Sequence, residues 1–379
     1  MHALLNYTTA HSAWIRETID ALVRLESPST DKTAVDICGA ELAARLTALG
    51  GRVDRLVREK RGDHLQAEFG GTGPRVLLLG HFDTVWPIGQ LARMPLHEKD
   101  GRLYGPGVFD MKAGIAMAML ATRAVHEIAP ESAPRIVMLW TTDEEIGSVS
   151  SRAAIEEEAR RSDAVLVLEP ALPGGGVKTR RKGCGDFQLI VHGVSAHAGI
   201  DPGKGASAIH ELAHQIVAVQ DLQNVELGIS INVGVIAGGS RTNVIAEHAT
   251  AGIDVRVPTT ADGDRIEARL RGLTPKLKGT RLELTGGIGR PPLERSAGVV
   301  RLFELARQAA RELGRDLDEG GTGGGSDGNF TAALGVPTLD GLGACGDGAH
   351  ALHEHVLLDD LTWRAALVAA LLIRVGGVQ

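Results

Sequence analysis

The chain has 379 residues, of which 43% are hydrophobic and 23% charged, and its formal net charge is −7 at pH 7. Acidic and basic residues are mixed along the chain, which argues against a nucleic-acid-binding surface and against a polybasic membrane patch. No segment has the roughly 20 consecutive apolar residues of a membrane span, and the first residues lack the features of a secretory signal. We therefore predict a cytoplasmic protein without a membrane partner.

Helices and apolar strands alternate over the first 170 residues. Apolar residues recur at helical spacing in three segments, residues 12–25, 36–49 and 110–129, and residues 151–161 also favour a helix. Strands are predicted at residues 52–57, 65–69, 75–80, 135–140 and 164–168. Because several of these strands are apolar at almost every position, we predict an α/β protein whose sheet is covered on both faces.

The middle of the chain has a different pattern. Strands and helices between residues 186 and 284 follow the order βαββαβ, which is that of a ferredoxin-like sandwich. Glycine-rich segments at 173–176 and 286–289 resemble interdomain hinges. We predict a catalytic domain in two parts, residues 1–180 and 289–379, with an inserted domain at residues 181–288.

Five candidate metal ligands stand in separate segments, most of them just past the end of a strand. They are His81, Asp110, Glu145, Glu169 and His350. In open α/β sheets, ligands bind at the carboxyl ends of the strands. Two imidazoles and three carboxylates suit two divalent cations better than one closed structural site. The pattern therefore predicts a two-metal hydrolase.

Each candidate has a simpler alternative. His81 begins a His-x-Asp step in which Asp83 can hold the second imidazole nitrogen, but the pair could also be an ordinary turn. Asp110 could be the N-cap of the helix that follows it. Glu169 follows an apolar run, where a buried carboxylate needs a cation or a close hydrogen-bond partner.

Adjacent glutamates and neighbouring histidines leave further alternatives. Glu144 and Glu145 point in different directions, so one can ligate a metal while the other takes a proton from the attacking water. In isolation, such a pair is usually a solvated helix start. We prefer His350 over His353 and His355 because Gly348-Ala349 precedes it and Glu354 follows four residues later.

The segments around these residues resemble the motifs of a known family. The matching segments are Gly80-His81-Phe82-Asp83-Thr84-Val85, Gly107-Val108-Phe109-Asp110-Met111-Lys112, Thr142-Asp143-Glu144-Glu145, Leu168-Glu169-Pro170 and Gly348-Ala349-His350. The chain resembles the co-catalytic zinc amidohydrolases: glutamate carboxypeptidases, succinyl-diaminopimelate desuccinylases, acetylornithine deacetylases and aminoacylases. The resemblance covers most of the chain, although Pro106 replaces an arginine often found in the second motif.

The resemblance implies roles for individual residues. It implies two zinc ions, or cobalt or manganese, bridged by Asp110, with His81 and Glu169 on one ion and Glu145 and His350 on the other. Glu144 is then the general base, with Asp83 beside the site. His197 of the inserted domain would polarise the scissile carbonyl in the partner subunit of a homodimer that forms through that domain. The residues implied to contact the substrate are Arg290, Arg241, Asn243 and Ser326.

The closest resemblance is to the glutamate carboxypeptidases. It implies that a C-terminal amino acid, with glutamate as the expected product, is released from an N-acyl or peptide substrate. The alternative is a deacylase of N-acetyl or N-succinyl amino acids. A metal-dependent binding protein that has lost catalysis is a third reading, but its signature would be the loss of Glu144 or a ligand, and none is missing.

Overall fold

The computed structural model describes residues 1–71 and 73–377. The helices are α1 (His2–Ala10), α2 (Ser12–Arg24), α3 (Lys32–Ala48), α4 (Gln90–Arg93), α5 (Ala113–Ile128), α6 (Arg152–Arg160), α7 (Ala208–Gln220), α8 (Thr260–Arg271), α9 (Ala297–Glu312), α10 (Gly328–Ala333) and α11 (Leu358–Gly377). None of these helices is long and apolar enough to cross a membrane.

The strands are β1 (Arg52–Leu56), β2 (His64–Phe69), β3 (Arg75–His81), β4 (His97–Lys99), β5 (Arg102–Tyr104), β6 (Arg135–Thr141), β7 (Ala164–Val167), β8 (Val177–Arg181), β9 (Gly183–His192), β10 (Ser230–Gly238), β11 (His248–Val257), β12 (Arg281–Arg290), β13 (Glu319–Thr322), β14 (Thr338–Leu339), β15 (Gly346–Asp347) and β16 (His355–Leu357). They belong to two compact units. The large unit comprises Met1–Thr179, Arg295–Gly321 and Ser326–Gln379, and the small unit comprises Arg180–Glu294 and Thr322–Gly325.

A six-stranded sheet forms the centre of the large unit, in the order β1-β2-β6-β3-β7-β14. Strands β6, β3, β7 and β14 run parallel, while β1 and β2 pair antiparallel. Alternate residues of β3 are buried in different cores: Leu78 packs in the core that includes α3, α5, α9 and α11, and Leu79 in the core that includes α6. The predicted α/β fold with a mostly parallel sheet covered on both faces is therefore confirmed.

The parallel pairing brings three candidate ligand segments to one edge. His81 is the last residue of β3, Glu144 and Glu145 follow the end of β6, and Glu169 follows the end of β7 by two residues. Because β3 pairs in parallel with both β6 and β7, their carboxyl ends lie side by side. The parallel pairing therefore brings three segments that are distant in the sequence together at one edge of the sheet.

A second, four-stranded sheet brings in the remaining segments. Its order is β15-β16-β5-β4, and all its pairs are antiparallel. Strand β5 immediately precedes the turn that carries Asp110, and β16 immediately follows the loop that carries His350. The pairing of His355 with Tyr104 therefore places the two segments next to each other.

The small unit has the predicted element order βαββαβ, formed by β9, α7, β10, β11, α8 and β12. Its antiparallel sheet has the order β10-β11-β9-β12. Inward-facing residues of β9 and β11, including Leu189, Val191, Ile253 and Val255, pack with α7 and α8 in a separate core.

Candidate metal centre

The structure brings all five candidate ligands together in the large unit. His81, Asp110 and Glu169 form one group, and Asp110, Glu145 and His350 form a second. Within each group the potential ligand atoms all lie within 4.8 Å of one another. Asp110 belongs to both groups, so its carboxylate is the point where they meet.

His81 is the most deeply buried member, with 1% of its side chain exposed. Its Nε2 lies 3.3 Å from Asp110 Oδ1 and 3.5 Å from Glu169 Oε1. The other ring nitrogen, Nδ1, lies 3.1 Å from the backbone oxygen of Asp83. A proton on Nδ1 would be held by this oxygen, which would leave the Nε2 lone pair directed at the two carboxylates.

His350 lies on the opposite side of Asp110. Its Nε2 is 3.0 Å from Glu145 Oε2 and 3.5 Å from Asp110 Oδ2. The backbone of His350 has a φ of 61°, and the glycine two residues earlier, Gly348, has a φ of 84°. This unusual backbone turns the imidazole towards the carboxylates. His353, by contrast, is largely exposed, with its Nε2 4.0 Å from Asp347, and His355 Nδ1 is bonded to the His353 carbonyl.

Hydrogen bonding within the protein satisfies only part of this cluster. Among the described residues, His81 Nε2, Asp110 Oδ1 and Glu145 Oε1 are buried atoms without a hydrogen-bond partner. Leaving such atoms unpaired is costly, and each is of a type that coordinates divalent cations. The residues present therefore fit a pair of metal ions that share Asp110.

The charges of the cluster also favour cations. Hydrogen bonds with the carboxylates of Asp110 and Glu145 raise the pKa of His350 to about 10. Burial raises the pKa of Glu145, and His350 only partly offsets this effect. Three carboxylates gathered around two imidazoles produce a negative potential that a divalent cation would neutralise.

Asp110 lies in an irregular turn, Val108–Lys112, and not in the helix predicted to start there. Its φ and ψ of −115° and 93° are not helical, and α5 starts only at Ala113, with Lys112 as its N-cap residue. The N-cap alternative for Asp110 is therefore wrong. The backbone N–H of Asp110 donates to Glu354, and its side chain turns to the metal-ligand cluster.

Glu354 holds this turn in place. Its carboxylate accepts hydrogen bonds from the backbone N–H groups of Gly107, Phe109 and Asp110 at 2.9, 2.9 and 3.1 Å. The indole N–H of Trp86 donates to it at 2.8 Å. Burial raises the pKa of Glu354 to about 7 even though these donors oppose the shift. A single carboxylate thus fixes the backbone on which Asp110 is mounted.

Asp83 performs a similar task for the glutamate pair. Its fully buried carboxylate accepts from Ser29 Oγ at 2.7 Å and from the backbone N–H groups of Glu144 and Glu145 at 3.4 and 3.3 Å. It therefore orients the turn after β6, while its backbone carbonyl orients His81. One residue connects two ligand-bearing loops.

We expect Asp83→Asn to weaken metal binding about 10- to 100-fold, the usual cost of losing an orienting partner of a ligand. The asparagine amide has one oxygen where the carboxylate has two, so one of the N–H groups of Glu144 and Glu145 would lose its acceptor. Titration of the metal-free protein with zinc measures this change. Ser29→Ala, which removes one of the three donors, should have a smaller effect, and equal effects of the two variants would contradict this role.

Ser326 is fully buried in the large unit, whereas three other residues predicted to take part in catalysis or substrate binding, His197, Arg241 and Asn243, lie in loops of the small unit. The Ser326 hydroxyl donates to Asp340 Oδ2 at 2.5 Å. His197 is exposed, and its Nδ1 accepts from the N–H groups of Gly199 and Ile200. The hydrogen bond from Ala198 N to Asn243 O joins the loops that carry His197, Arg241 and Asn243.

Arg290 ends β12 of the small unit and is 9% exposed. It lies opposite Cys184 of β9. In the same unit, the Gly323-Gly324-Gly325 loop is held by Arg181, which donates to the carbonyls of Gly324 and Gly325.

Three residues that hold the ligand-bearing loops were not predicted from the sequence to do so: Ser29, Trp86 and Glu354. No local pattern marks Ser29, whereas Trp86 lies beside the His81 motif.

The sequence matches the profile of peptidase family M20/M25/M40 over residues 77–374. The chain belongs to this family. Among curated relatives, carboxypeptidase G2 of Pseudomonas sp. (strain RS-16) is 29% identical over 99% of this chain and 92% of the relative. The succinyl-diaminopimelate desuccinylase of Cupriavidus pinatubonensis is 32% identical over 84% of this chain and 88% of the relative.

Solved structures share the fold of this M20-family chain. An aminopeptidase of Bacillus cereus has a TM-score of 0.79 at 24% identity, covering 96% of this chain and 98% of the other. A dinuclear metal-binding M20 peptidase of Bacillus subtilis has a TM-score of 0.70 at 15% identity, covering 97% and 99%. The predicted resemblance to the amidohydrolases is confirmed, and the M20-family protein is a metal-dependent hydrolase.

Proposed function

We propose that this hydrolase binds two divalent cations, zinc in the first instance, with cobalt or manganese as alternatives. His81 and Glu169 would hold one cation, Glu145 and His350 the other, and Asp110 both. The observation that carries the proposal is the shared position of Asp110 in two ligand groups, together with the burial of His81 Nε2, Asp110 Oδ1 and Glu145 Oε1 without a hydrogen-bond partner. The dinuclear M20 peptidase of the same fold supports this reading.

The chemistry would be hydrolysis of an amide. When bound, the metal ions polarise the scissile carbonyl and make water more acidic. Glu144, adjacent to the ligand Glu145, takes a proton from the attacking water and delivers it to the leaving amine. Asp83 holds the turn that carries both glutamates, and Glu354 holds the turn that carries Asp110. These contacts fix the reacting groups in place before substrate binds.

The small unit would contribute the substrate contacts that the family resemblance implies. Arg290 is proposed to bind the free carboxylate of the substrate in the bidentate manner of a guanidinium, with Arg241 and Asn243 contacting the rest of the molecule. His197 is proposed to stabilise the oxyanion. The burial of Ser326 in a hydrogen bond to Asp340 favours a supporting role for this residue within the proposed pocket.

The substrate we propose is an N-acyl amino acid or short peptide whose C-terminal residue, glutamate, is released. The match to carboxypeptidase G2 over 99% of the chain supports this choice. The similarity to succinyl-diaminopimelate desuccinylases favours a second candidate, an N-acyl amino acid deacylase. We further propose a cytoplasmic homodimer formed through the small unit, whose strand β10 exposes Val235 and Ile236.

A panel of substrates separates these functions. The zinc-loaded protein is assayed with N-acyl-glutamates, with N-acetyl derivatives of other amino acids and with N-succinyl-diaminopimelate. We expect N-acyl-glutamates to give a kcat/KM at least about 10-fold above the others, a difference that a carboxylate-binding site can supply. Preference for N-succinyl-diaminopimelate or for N-acetyl derivatives of other amino acids would select the deacylase, and hydrolysis of none of them would refute both candidates.

A further inference from the structure

Exposed apolar side chains are concentrated in the loops that carry the candidate ligands. Among the described residues of the large unit, eight large apolar side chains are exposed: Ile37, Val57, Val85, Ile88, Ile128, Ile146, Val149 and Leu352. Five of these eight follow a candidate ligand by seven residues or fewer: Val85 and Ile88, Ile146 and Val149, and Leu352. Apolar side chains beside a few polar groups are a feature of ligand-binding sites.

The loop that carries Val85 and Ile88 is anchored at two places. Between them, Trp86 donates its indole N–H to Glu354 at 2.8 Å. After them, the backbone N–H groups of Gly89 and Leu91 both donate to Glu26 at 2.7 Å. The exposed side chains are therefore carried by an anchored backbone, and a ligand can bind them without a large cost of ordering the loop.

The same loops carry no permanently charged cationic side chain. Residues 82–91, 143–150 and 345–357 contain no lysine or arginine. Lys112, the cation nearest to Asp110 in sequence, is buried and donates its Nζ to the carbonyls of Leu22 and Leu25 at 2.9 and 2.8 Å. These segments thus offer apolar surface and no lysine or arginine of their own to a carboxylate on the acyl side of a substrate. Arg58, which donates its Nε to the Ser150 carbonyl at 3.0 Å, also donates to the carbonyl of Val57.

We propose that Val85, Ile88 and Leu352 form the acyl-binding surface, and that the natural substrate carries an uncharged aliphatic acyl group. The inference rests on the proposed amide hydrolysis, since the acyl carbonyl must then lie at the metal-ligand cluster. The rest of the acyl group extends from that carbonyl across the neighbouring loops. An apolar chain gains by leaving water there, whereas a succinyl carboxylate would lose hydration without finding a partner.

Three acyl-glutamates test this selectivity in the zinc-loaded full chain: N-acetyl-, N-hexanoyl- and N-succinyl-L-glutamate. We expect kcat/KM for the hexanoyl compound to exceed that for the succinyl compound by at least about 10-fold. Ile88→Ser should lower kcat/KM for N-hexanoyl-glutamate about 10-fold and leave N-acetyl-glutamate within about twofold. Ile37→Ser is the matched control, because Ile37 is 55% exposed and Ile88 is 57% exposed.

Val85→Ser, with Val57→Ser as its control, repeats the comparison in case Ile88→Ser does not fold. A succinyl compound hydrolysed as well as the hexanoyl compound would overturn the inference while leaving the proposed function intact. Equal losses on all three compounds in both loop variants would also overturn it, because they would indicate a general disturbance of the metal-ligand cluster. Failure of the wild-type protein to hydrolyse any of the three would overturn the proposed function, and the inference with it.

Discussion

Glu144→Gln is expected to lower kcat about 10²- to 10⁴-fold at saturating zinc. Glu144 begins the turn Glu144–Ile146, which follows the end of β6 at Thr141, and its backbone N–H donates to Asp83. Its neighbour Glu145 belongs to the metal-ligand cluster, so the two carboxylates can divide ligation and proton transfer between them. Glutamine has nearly the same shape but cannot take up the proton, so the loss should fall on kcat.

The structural readouts should be unaffected in this variant. We expect bound zinc to be the same as in the wild type, and the free energy of unfolding to change by less than about 1 kcal/mol. Glu131→Gln is a suitable control, because Glu131 is exposed and lies just before β6 begins, at the other end of the same strand. Retention of more than about a tenth of wild-type activity would remove Glu144 from the role of general base.

Asp110→Asn is expected to abolish binding of both metal ions, because Asp110 alone belongs to both ligand groups of the described chain. Asparagine lacks the negative charge and offers one oxygen, so it cannot bridge two cations. We expect metal content, measured by elemental analysis after dialysis against micromolar zinc, to fall from about two ions per chain to well below one. Activity should fall at least about 10²-fold, since the metals supply the carbonyl polarisation.

Variants of the other ligands provide the contrast. Glu169→Gln and His350→Ala each alter only one group, so each should retain about one ion per chain. Asp100→Asn is the control, since Asp100 is an exposed residue with a φ of 51°, a conformation that asparagine tolerates. In the presence of a chelator, Asp110→Asn should melt within a few degrees of the wild type, which separates metal loss from unfolding. Two ions retained by Asp110→Asn would refute the bridging assignment.

Local patterns in the sequence were sufficient to predict the main elements of the fold. Apolar runs such as residues 75–80 and 164–168 predict buried strands because only a sheet covered on both faces can accommodate them. Their ends then identify His81 and Glu169 as neighbours, because parallel strands align their carboxyl ends. The alternation of elements in the middle of the chain likewise predicts βαββαβ. These inferences succeed because periodicity is a local property, and because strands that alternate with helices are typically parallel.

The tertiary structure alone decided how the ligand-bearing loops are held. Glu354 bonds to the Asp110 turn from 244 residues away, and Ser29 bonds to Asp83 from 54 residues away. The strands that bring His350 beside Asp110, β5, β15 and β16, are only two or three residues long. Segments this short have no periodicity, and a single serine has no pattern. Their positions follow from pairing with distant partners, which the local sequence does not encode.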